Sequence, residues 1–381
     1  MQLRVFPLVA FAAGILSAQE NFRFSGYAVH FPVYQRMNAF LARLVTAEQN
    51  QFVDVTRVRL RPSAGLWAKA FLMVEYEFNA TYTSSPFLFS PSASRSQKQV
   101  LDLTWNPVHQ GRWNVVHYVD RAYVRQSSPF GDLTIGRQRI SWGTGRVWNP
   151  TDLFNPINPV AFSKLEKDGI DAVMAKFVAG NLTDLSLVYN PYDRFRKAQY
   201  GGRFRTNYEG FDFSVMGGLF GERIALGADF AGSLFDTGIR GEGIISGSRT
   251  RFAENFAKYI LGIDNQFTGK LYAMMEYHYN GQGKNQRFAY ELNRLVDGEI
   301  LNLGKHYATG QISYLIHPLV FVSVTLNRSF TDGSGFVGGT AAYSASDEIS
   351  IALGSQYFFG KQFDEYWYYP STVYGKIDIY F

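Results

Sequence analysis

The last eleven residues of the chain, Ser371 to Phe381, read STVYGKIDIYF and decide the fold. Apolar side chains occupy one parity of this stretch and polar or amphipathic ones the other: Val373, Ile377, Ile379 and Phe381 against Thr372, Tyr374, Lys376, Asp378 and Tyr380. A period of two over about 9–11 residues predicts a β-strand long enough to cross a bilayer. The stretch therefore favours a membrane-crossing strand over the edge strand of a soluble sheet.

The N-terminus predicts export. Arg4 precedes an apolar run from Val5 to Ile15, and Leu16-Ser17-Ala18 forms a small-residue cleavage site. We therefore predict a signal peptide over residues 1–18 and a single domain over residues 19–381. The apolar run is too short for a spanning helix, and no other stretch of about 18 uncharged apolar residues occurs. A membrane location would therefore require a closed barrel, because only helices and closed barrels satisfy the backbone in lipid.

Composition agrees with a barrel. The chain has 33 Phe, 24 Tyr and 36 Gly, yet its mean hydropathy is slightly negative. This combination is typical of an apolar outer face around a polar interior. The absence of cysteine suits export through an oxidising compartment and excludes disulfides and thiolate metal sites. The net charge of +5 does not indicate nucleic-acid binding, and no cofactor is predicted.

Segments of alternating side chains, separated by turn signals, predict one all-β antiparallel transmembrane barrel of eighteen strands, with sixteen as the runner-up. The predicted strands lie near residues 22–31, 51–61, 65–82, 112–126, 131–141, 169–178, 182–190, 199–208, 210–220, 223–234, 237–247, 255–268, 270–281, 303–316, 318–330, 335–345, 348–359 and 371–381. An even number places both termini on the periplasmic side and every long connection outside. Leu101–Trp105 is left in a loop because a further strand would break this parity. A barrel of about 16–18 strands is wide enough for an aqueous lumen.

The stretch from Asp132 to Asp168 reads DLTIGRQRISWGTGRVWNPTDLFNPINPVAFSKLEKD and resembles two groups of barrels. A strand ending in Gly-Arg before a long loop resembles the point where the third loop of bacterial porins folds into the barrel. The run GRQ…WG…GR resembles alginate-export-like barrels, through Gly131, Gly136, Arg137, Gln138, Trp142, Gly143 and Arg146. The terminal strand ending at Phe381 resembles the signal that the barrel assembly machinery recognises. These resemblances imply a protein of the outer membrane of a diderm bacterium, with lipid and lipopolysaccharide as partners.

The residues themselves also favour an inward-folded loop. Residues 142–168 carry many apolar side chains, and three Asn-Pro pairs, at 149-150, 155-156 and 158-159, hold the chain extended. A long, apolar and proline-stiffened loop is usually functional. We expect residues 142–168 to constrict the lumen; a loop that caps the mouth of the barrel or packs on neighbouring loops is the alternative.

Arginines are the candidate pore-lining residues, since 12 of the 37 basic residues are Lys and the other 25 are Arg. An arginine facing lipid at mid-depth costs about 2–4 kcal/mol, so arginines that share a strand parity should face the lumen. The positive wall is expected from Arg121, Arg125, Arg137 and Arg139, with Arg57, Arg59, Arg203 and Arg205 as weaker candidates. A bulge at Gly136 would turn Arg137 and Arg139 inward.

Loop acids complete the predicted selectivity site. By resemblance to general porins, Asp152, Glu166 and Asp168 would face the arginines and set a field across the channel. The alternative is that individual arginines lie at the rims, bind lipid head groups, or pair with inward acids, for which the candidates are Glu75, Glu77, Asp120 and Glu242.

Together these features predict a passive channel for small solutes, with anions as a candidate class. An exporter of an anionic polysaccharide and a non-conducting surface anchor or adhesin are the alternatives. An enzyme is not expected, because the six histidines are scattered and no metal motif or Gly-x-Ser-x-Gly elbow occurs. The sequence leaves open the solute and whether the barrel is a homotrimer or a monomer.

Overall fold

The computed structural model describes residues 22–44, 48–85, 99–154, 166–192, 198–249, 254–296 and 300–381. The predicted signal peptide lies outside the described residues. The strands are, in chain order, β1 (Phe22–Arg23), β2 (Gly26–Arg36), β3 (Asn50–Leu60), β4 (Ser63–Trp67), β5 (Ala70–Thr83), β6 (Thr104–Gln110), β7 (Trp113–Ser128), β8 (Gly131–Gln138), β9 (Ile170–Ala179), β10 (Thr183–Asn190), β11 (Gln199–Tyr208), β12 (Phe211–Phe220), β13 (Arg223–Leu234), β14 (Thr237–Ser248), β15 (Phe256–Gln266), β16 (Leu271–Asn280), β17 (His306–His317), β18 (Val320–Ser329), β19 (Gly335–Ser344), β20 (Ile349–Phe359) and β21 (Ser371–Tyr380). Short helices occupy Ala39–Leu44 and Leu292–Val296, and 3₁₀ turns occupy Arg287–Ala289 and Glu365–Tyr368. No helix within these ranges is long and apolar enough to cross a membrane.

Antiparallel hydrogen bonding closes the sheet into a barrel. Successive barrel strands pair with each other, and β2 completes the ring by pairing with β21, from Tyr27 opposite Tyr380 to Arg36 opposite Ser371. Of the 21 strands in the sheet, β1, β4 and β6 only extend the edges of neighbours, which leaves 18 in the ring. The predicted antiparallel barrel of eighteen strands is confirmed, and the runner-up of sixteen is wrong.

Side chains alternate between an apolar outer face and a polar inner face. Outward Val215, Leu226 and Leu261 are each more than half exposed, as expected of a surface that meets lipid. Inward polar residues of the same region, such as Ser214 and Glu242, are buried within the barrel. The alternation that predicted the strands is therefore the alternation between the two faces of the wall.

Connections are short at one end of the barrel and long at the other. At the short end, Glu209 and Gly210 form a tight turn with φ of 50° and 82°, between β11 and β12. The long connections leave from the opposite end, where β2, β5, β8, β16 and β20 end. Because Gly26 and Tyr380 both lie at the short-turn end, the predicted parity of the chain is confirmed.

The first barrel strand runs further than predicted. We expected it to end at residue 31, before Pro32, but β2 continues to Arg36. The ladder from β2 to β21 is open at Phe31 and Pro32, so the N–H that proline lacks is not needed there. Gly375 on β21 lies opposite the pyrrolidine ring of Pro32 and leaves room for it. Even a Cβ atom at residue 375 would lie 3.7 Å from Pro32 Cγ.

Two other boundaries differ from expectation. The turn predicted at residues 61–65 is only a break in the strand, and the hairpin closes at Ala68-Lys69, where Lys69 has φ of 60°. The stretch around Leu101–Trp105 leads into β6, which pairs with β7 beyond the point where β8 ends. Because β6 adds no crossing of the barrel, it leaves the strand parity unchanged.

Candidate functional site

The connection between β8 and β9 folds into the barrel. Beyond Gln138 the chain leaves the wall, and the rings of Trp142 and Phe154 meet edge to face at 5.1 Å. Together with Ile140 they pack in one buried apolar cluster with inward residues of β9, β10 and β12: Ile170, Ala172, Val188 and Met216. The predicted inward-folded loop is therefore confirmed for residues 142–154, while residues 155–165 of the expected constriction lie outside the described residues.

A carboxylate on a distant strand holds the loop backbone. Glu242 projects inward from β14 and accepts hydrogen bonds from the N–H groups of Thr144 at 2.8 Å, Gly145 at 3.2 Å and Thr151 at 2.7 Å. Gly143 permits this approach, because it has φ of 98° and a Cβ there would lie 2.7 Å from Glu242 Oε2. No lysine or arginine in the described ranges forms an ion pair with Glu242, so backbone amides are its main partners.

A second carboxylate repeats the arrangement on β16. Glu276 accepts hydrogen bonds from the N–H groups of Arg146 at 2.8 Å and Trp148 at 2.7 Å, and a longer one from Val147 at 3.3 Å. The Trp148 indole stacks on His278 of the same strand, with ring centroids 4.9 Å apart. Since β16 lies eight strands beyond β8 in the ring, the loop crosses most of the lumen.

Sequence reasoning missed these two positions. It treated Glu242 as one of several inward acids that could pair with arginine, and it interpreted Glu276 only as a polar partner of His278 on one inward face. The signal that could have found them is Gly143-Thr144-Gly145, because consecutive amides with glycine freedom can converge on an anion. An acidic partner on the wall was therefore predictable, but not which strand would carry it.

Four arginines and four acids form one ion cluster on β3, β5, β7 and the loop. Its members are Arg57, Arg59, Arg61 and Arg121 with Glu75, Glu77, Asp120 and Glu166. Arg59 Nη1 donates to Glu75 at 2.9 Å and to Asp120 at 3.0 Å. Arg121 reaches Glu75 at 2.6 Å and Glu166 at 2.8 Å. Equal numbers of opposite charges make the cluster formally neutral.

Two of the three loop acids, Glu166 and Asp152, contact basic groups instead of facing them across a gap. Burial raises the pKa of Glu166, but Arg59, Arg121 and Arg61 outweigh burial and hold the pKa below its ordinary value. Glu166 is therefore charged and neutralises the arginines it touches. Asp152 pairs in the same way with Lys167, and Asp168 is buried. These contacts do not support the expected field between an arginine wall and Glu166.

Arg137 faces away from the lumen, which corrects one prediction. The pairing of β8 with β7 and β9 runs through Gly136 without a register shift, so the expected bulge is absent from this strand. Arg137 therefore shares the outward parity of Ile135, and it donates to Asp171 at 2.8 Å and to the carbonyl of Val119 at 3.0 Å. It also donates to the carbonyl of Leu101, whose segment covers it.

The other predicted residues occupy separate surroundings. Arg139 is exposed beyond the end of β8. Arg125 lies over the rings of Phe71 and Tyr123, at 5.4 and 5.5 Å, and donates to Thr134 at 3.2 Å. The structure therefore brings Arg57, Arg59, Arg121 and Glu166 together and keeps Arg125, Arg137 and Arg139 apart from them.

In several ion pairs on the inner wall from β9 to β15, the basic side chain is more exposed than its acidic partner, whereas Arg240 and Asp264 are buried to the same degree, at 11% and 12% exposure. Arg205 pairs with Asp184 at 3.1 Å, and the two side chains are 43% and 10% exposed. Arg146 on the loop pairs with Asp264 at 3.6 Å, with side-chain exposures of 53% and 12%. Arg203 pairs with Asp229 in the same sense. In the pairs of Arg205, Arg146 and Arg203, the cation is therefore more accessible to water than the carboxylate is.

A closed barrel of eighteen strands with a loop folded into its lumen is the fold of outer-membrane porins. OccAB2 of Acinetobacter baumannii has this fold, with a TM-score of 0.58 and 8% identity over 95% of this chain and 98% of that one. OccK8 (OprE) of Pseudomonas aeruginosa gives 0.58 and 7% over 95% and 98%. The outer membrane protein opdK of the same organism gives 0.55 and 8% over 95% and 99%. No protein-family model and no curated protein matches the sequence.

Proposed function

We propose that the chain is a passive channel of the outer membrane of a diderm bacterium, with a preference for small anionic solutes. The porin fold supports the coarse part of this proposal, because the barrels with which it shares its architecture are channels and not enzymes. The long connections would then lie outside the cell and the tight turns in the periplasm. Recognition of β21 by the assembly machinery and the removal of residues 1–18 stay predictions.

The exposure of the basic side chains carries the anion preference. In the ion pairs formed by Arg205 and by Arg146, the guanidinium is exposed to water while the carboxylate is largely buried. A permeating ion would therefore feel the cation more strongly than the carboxylate, since interaction energy falls with distance and with intervening water. The neutral, buried cluster around Arg59 would contribute little to this preference.

The infolded loop defines where selection takes place. Glu276 binds the backbone N–H of Arg146, so the exposed guanidinium of Arg146 is held inside the lumen instead of at its mouth. A narrow aperture lined by a fixed charge filters by both size and charge. We propose that residues 142–154 form the described part of this constriction.

The reversal potential of the refolded protein in a planar bilayer under a KCl gradient tests the proposal. A tenfold gradient gives about 59 mV for a perfectly selective channel, and we expect a smaller value of the anion-selective sign. Arg205→Gln and Arg146→Gln should each move the potential toward zero. Arg328→Gln is the matched control, because Arg328 is exposed on the outer face near the long-connection end.

Each other outcome selects a different function. Cation selectivity, or a potential that Arg205→Gln and Arg146→Gln leave unchanged, would remove the anion preference. Strong anion selectivity together with block by an anionic oligosaccharide would favour a polysaccharide exporter. A protein that inserts but does not conduct would favour the surface anchor and contradict the channel.

A further inference from the structure

An apolar groove lies on the outer face of the wall, over β9 to β12. It is a shallow, open groove of about 490 Å³, lined mainly by Val173, Leu187, Tyr189, Tyr200, Gly202 and Leu219. Gly202 and Gly217 lie directly opposite each other on β11 and β12. Two adjacent positions without side chains therefore form the floor of the groove.

The wall is one backbone layer thick at this place. The next cross-strand pair, Gly201 and Gly218, faces the lumen, and a Cβ on Gly201 would lie 2.8 Å from Trp142 Cη2 and 3.0 Å from Phe154 Cζ. Rings of the infolded loop thus pack against the inner side of the strands whose outer side is hollow. A void on the outer side would lose van der Waals contacts that a filled groove gains.

We propose that this groove binds an acyl chain of an outer-leaflet lipid, an inference that rests on the membrane location in the proposed function. Every residue that lines it is apolar, glycine or tyrosine, so a charged head group has no partner inside. The two tyrosines, whose ring centroids are 5.1 Å apart, lie at the ends of β10 and β11 nearest the long connections. Tyrosines at that level are typical of the membrane interface.

The shape of the groove favours a lipid chain over a second copy of the protein. The groove is continuous with the outward apolar surface that Phe204 and Val215 form, both of them exposed. A flexible hydrocarbon chain can fill a hollow in that surface without a matching shape, whereas a rigid barrel would need a complementary ridge. The chain would run from the tyrosine pair toward the middle of the bilayer.

Photo-crosslinking in vesicles of phosphatidylethanolamine tests the proposal, with a diazirine on one acyl chain of a tracer phospholipid. We expect labelling to concentrate on the peptides that contain Leu187, Tyr200 and Leu219. Gly202→Leu should fill the groove, since a Cβ at residue 202 is 3.4 Å from its nearest neighbour, Leu187 Cδ2. Labelling there should fall at least about fourfold, which corresponds to ~0.8 kcal/mol, the transfer free energy of one methylene group.

Gly243→Leu is the matched control, because Gly243 also faces outward and a Cβ there would have its nearest neighbour 3.6 Å away. It should leave groove labelling unchanged. Leu187→Ala enlarges the groove and should raise the labelling, which keeps the test open if Gly202→Leu does not fold. Labelling spread evenly around the wall would contradict the groove proposal but not the membrane location. Crosslinks between two protein chains at these peptides would show that a second copy of the protein, and not a lipid, occupies the groove. Failure of every wall peptide to label would contradict the membrane location itself.

Discussion

The infolded loop is fixed to the barrel in two different ways on its two sides. On the near wall, Trp142 and Phe154 pack into an apolar cluster with side chains of β9 to β12. On the far wall, Glu242 and Glu276 each accept hydrogen bonds from three backbone N–H groups of the loop. One contact is made by side chains against side chains, and the other by wall carboxylates against the main chain.

The two kinds of contact have different roles: one keeps the loop inside the lumen, and the other fixes the path of its backbone. Apolar packing is non-directional and roughly proportional to buried area, so the near wall draws the loop into the lumen without fixing its path closely. Hydrogen bonds weaken steeply with distance and angle, so the far wall determines where the backbone runs. We infer that stability depends mostly on the near wall and the bore of the channel mostly on the far wall.

Removing both far-wall carboxylates should have the largest effect. In Glu242→Ala/Glu276→Ala, six backbone N–H groups lose their acceptors, and each buried donor left unsatisfied costs about 1–3 kcal/mol. The loop should leave the far wall and let water reach these amides. Single-channel conductance should therefore rise, while the barrel stays folded because the near-wall cluster is intact.

Two control variants accompany this experiment. Glu242→Gln/Glu276→Gln keeps an acceptor oxygen at each position and should change conductance less than the alanine pair. Asp347→Ala removes an exposed acid in the short turn between β19 and β20, at the end of the barrel away from the long connections, and it should leave the conductance unchanged. An unaltered conductance in the alanine pair would mean that near-wall packing alone positions the loop.

The near wall should show the opposite pattern. Phe154 is buried at 1% exposure, and truncating such a ring usually costs about 3–5 kcal/mol. Phe154→Ala should therefore lower the free energy of unfolding in vesicles by about that amount, with little change in conductance while the carboxylates still hold the loop. Phe204→Ala, at an outward and exposed position, is the control. If Phe154→Ala raised the conductance as much as the double alanine variant of Glu242 and Glu276, the proposed division of roles between the near and the far wall would be wrong.

The sequence predicted the wall well because one physical rule dominates it. A strand between lipid and a polar lumen must alternate, so β13 was predicted with its observed bounds, Arg223 to Leu234. Errors arose where a local feature overrode the rule. Pro32 lies in β2 because the ladder opens opposite Gly375, which no pattern along a single strand reveals.

Contacts inside the lumen were less predictable, because they join residues far apart in the chain. The arginines on β3 and β7 were identified, but not that Glu166 would neutralise them. Parity alone placed Arg137 beside Ile135, on the outer face, and the bulge expected at Gly136 was wrong. The partners of Glu242 and Glu276 are main-chain amides 91 to 130 residues away, and apart from the two glycines of Gly143-Thr144-Gly145 they carry no side-chain signature.

A third carboxylate, Glu365 at the long-connection end of the barrel, also holds backbone amides of a loop, and its pKa predicts that this contact depends on pH. Glu365 accepts hydrogen bonds from the N–H groups of Leu303 and Gly304, both at 3.1 Å, and from the Tyr307 hydroxyl. Burial raises the pKa of Glu365 from 4.5 to about 7, although these hydrogen bonds oppose the shift. The folded state therefore holds the proton more tightly than the unfolded state, and the resulting stability is complete below about pH 4.5 and lost as pH rises through about 7. Over that window the loss is on the order of 3 kcal/mol.

Hydrogen-exchange protection of the Leu303 and Gly304 amides, corrected for intrinsic exchange, should accordingly be greater at pH 5 than at pH 8. Glu365→Gln imitates the protonated acid, so its protection should match the low-pH value of the parent at both pH values. If both proteins lost protection equally at pH 8, the change would have to come from another group. If neither protein lost protection at pH 8, the charge of the acid would not affect how a carboxylate holds loop amides. The position of the infolded loop on the far wall would then depend only on the geometry of its hydrogen bonds.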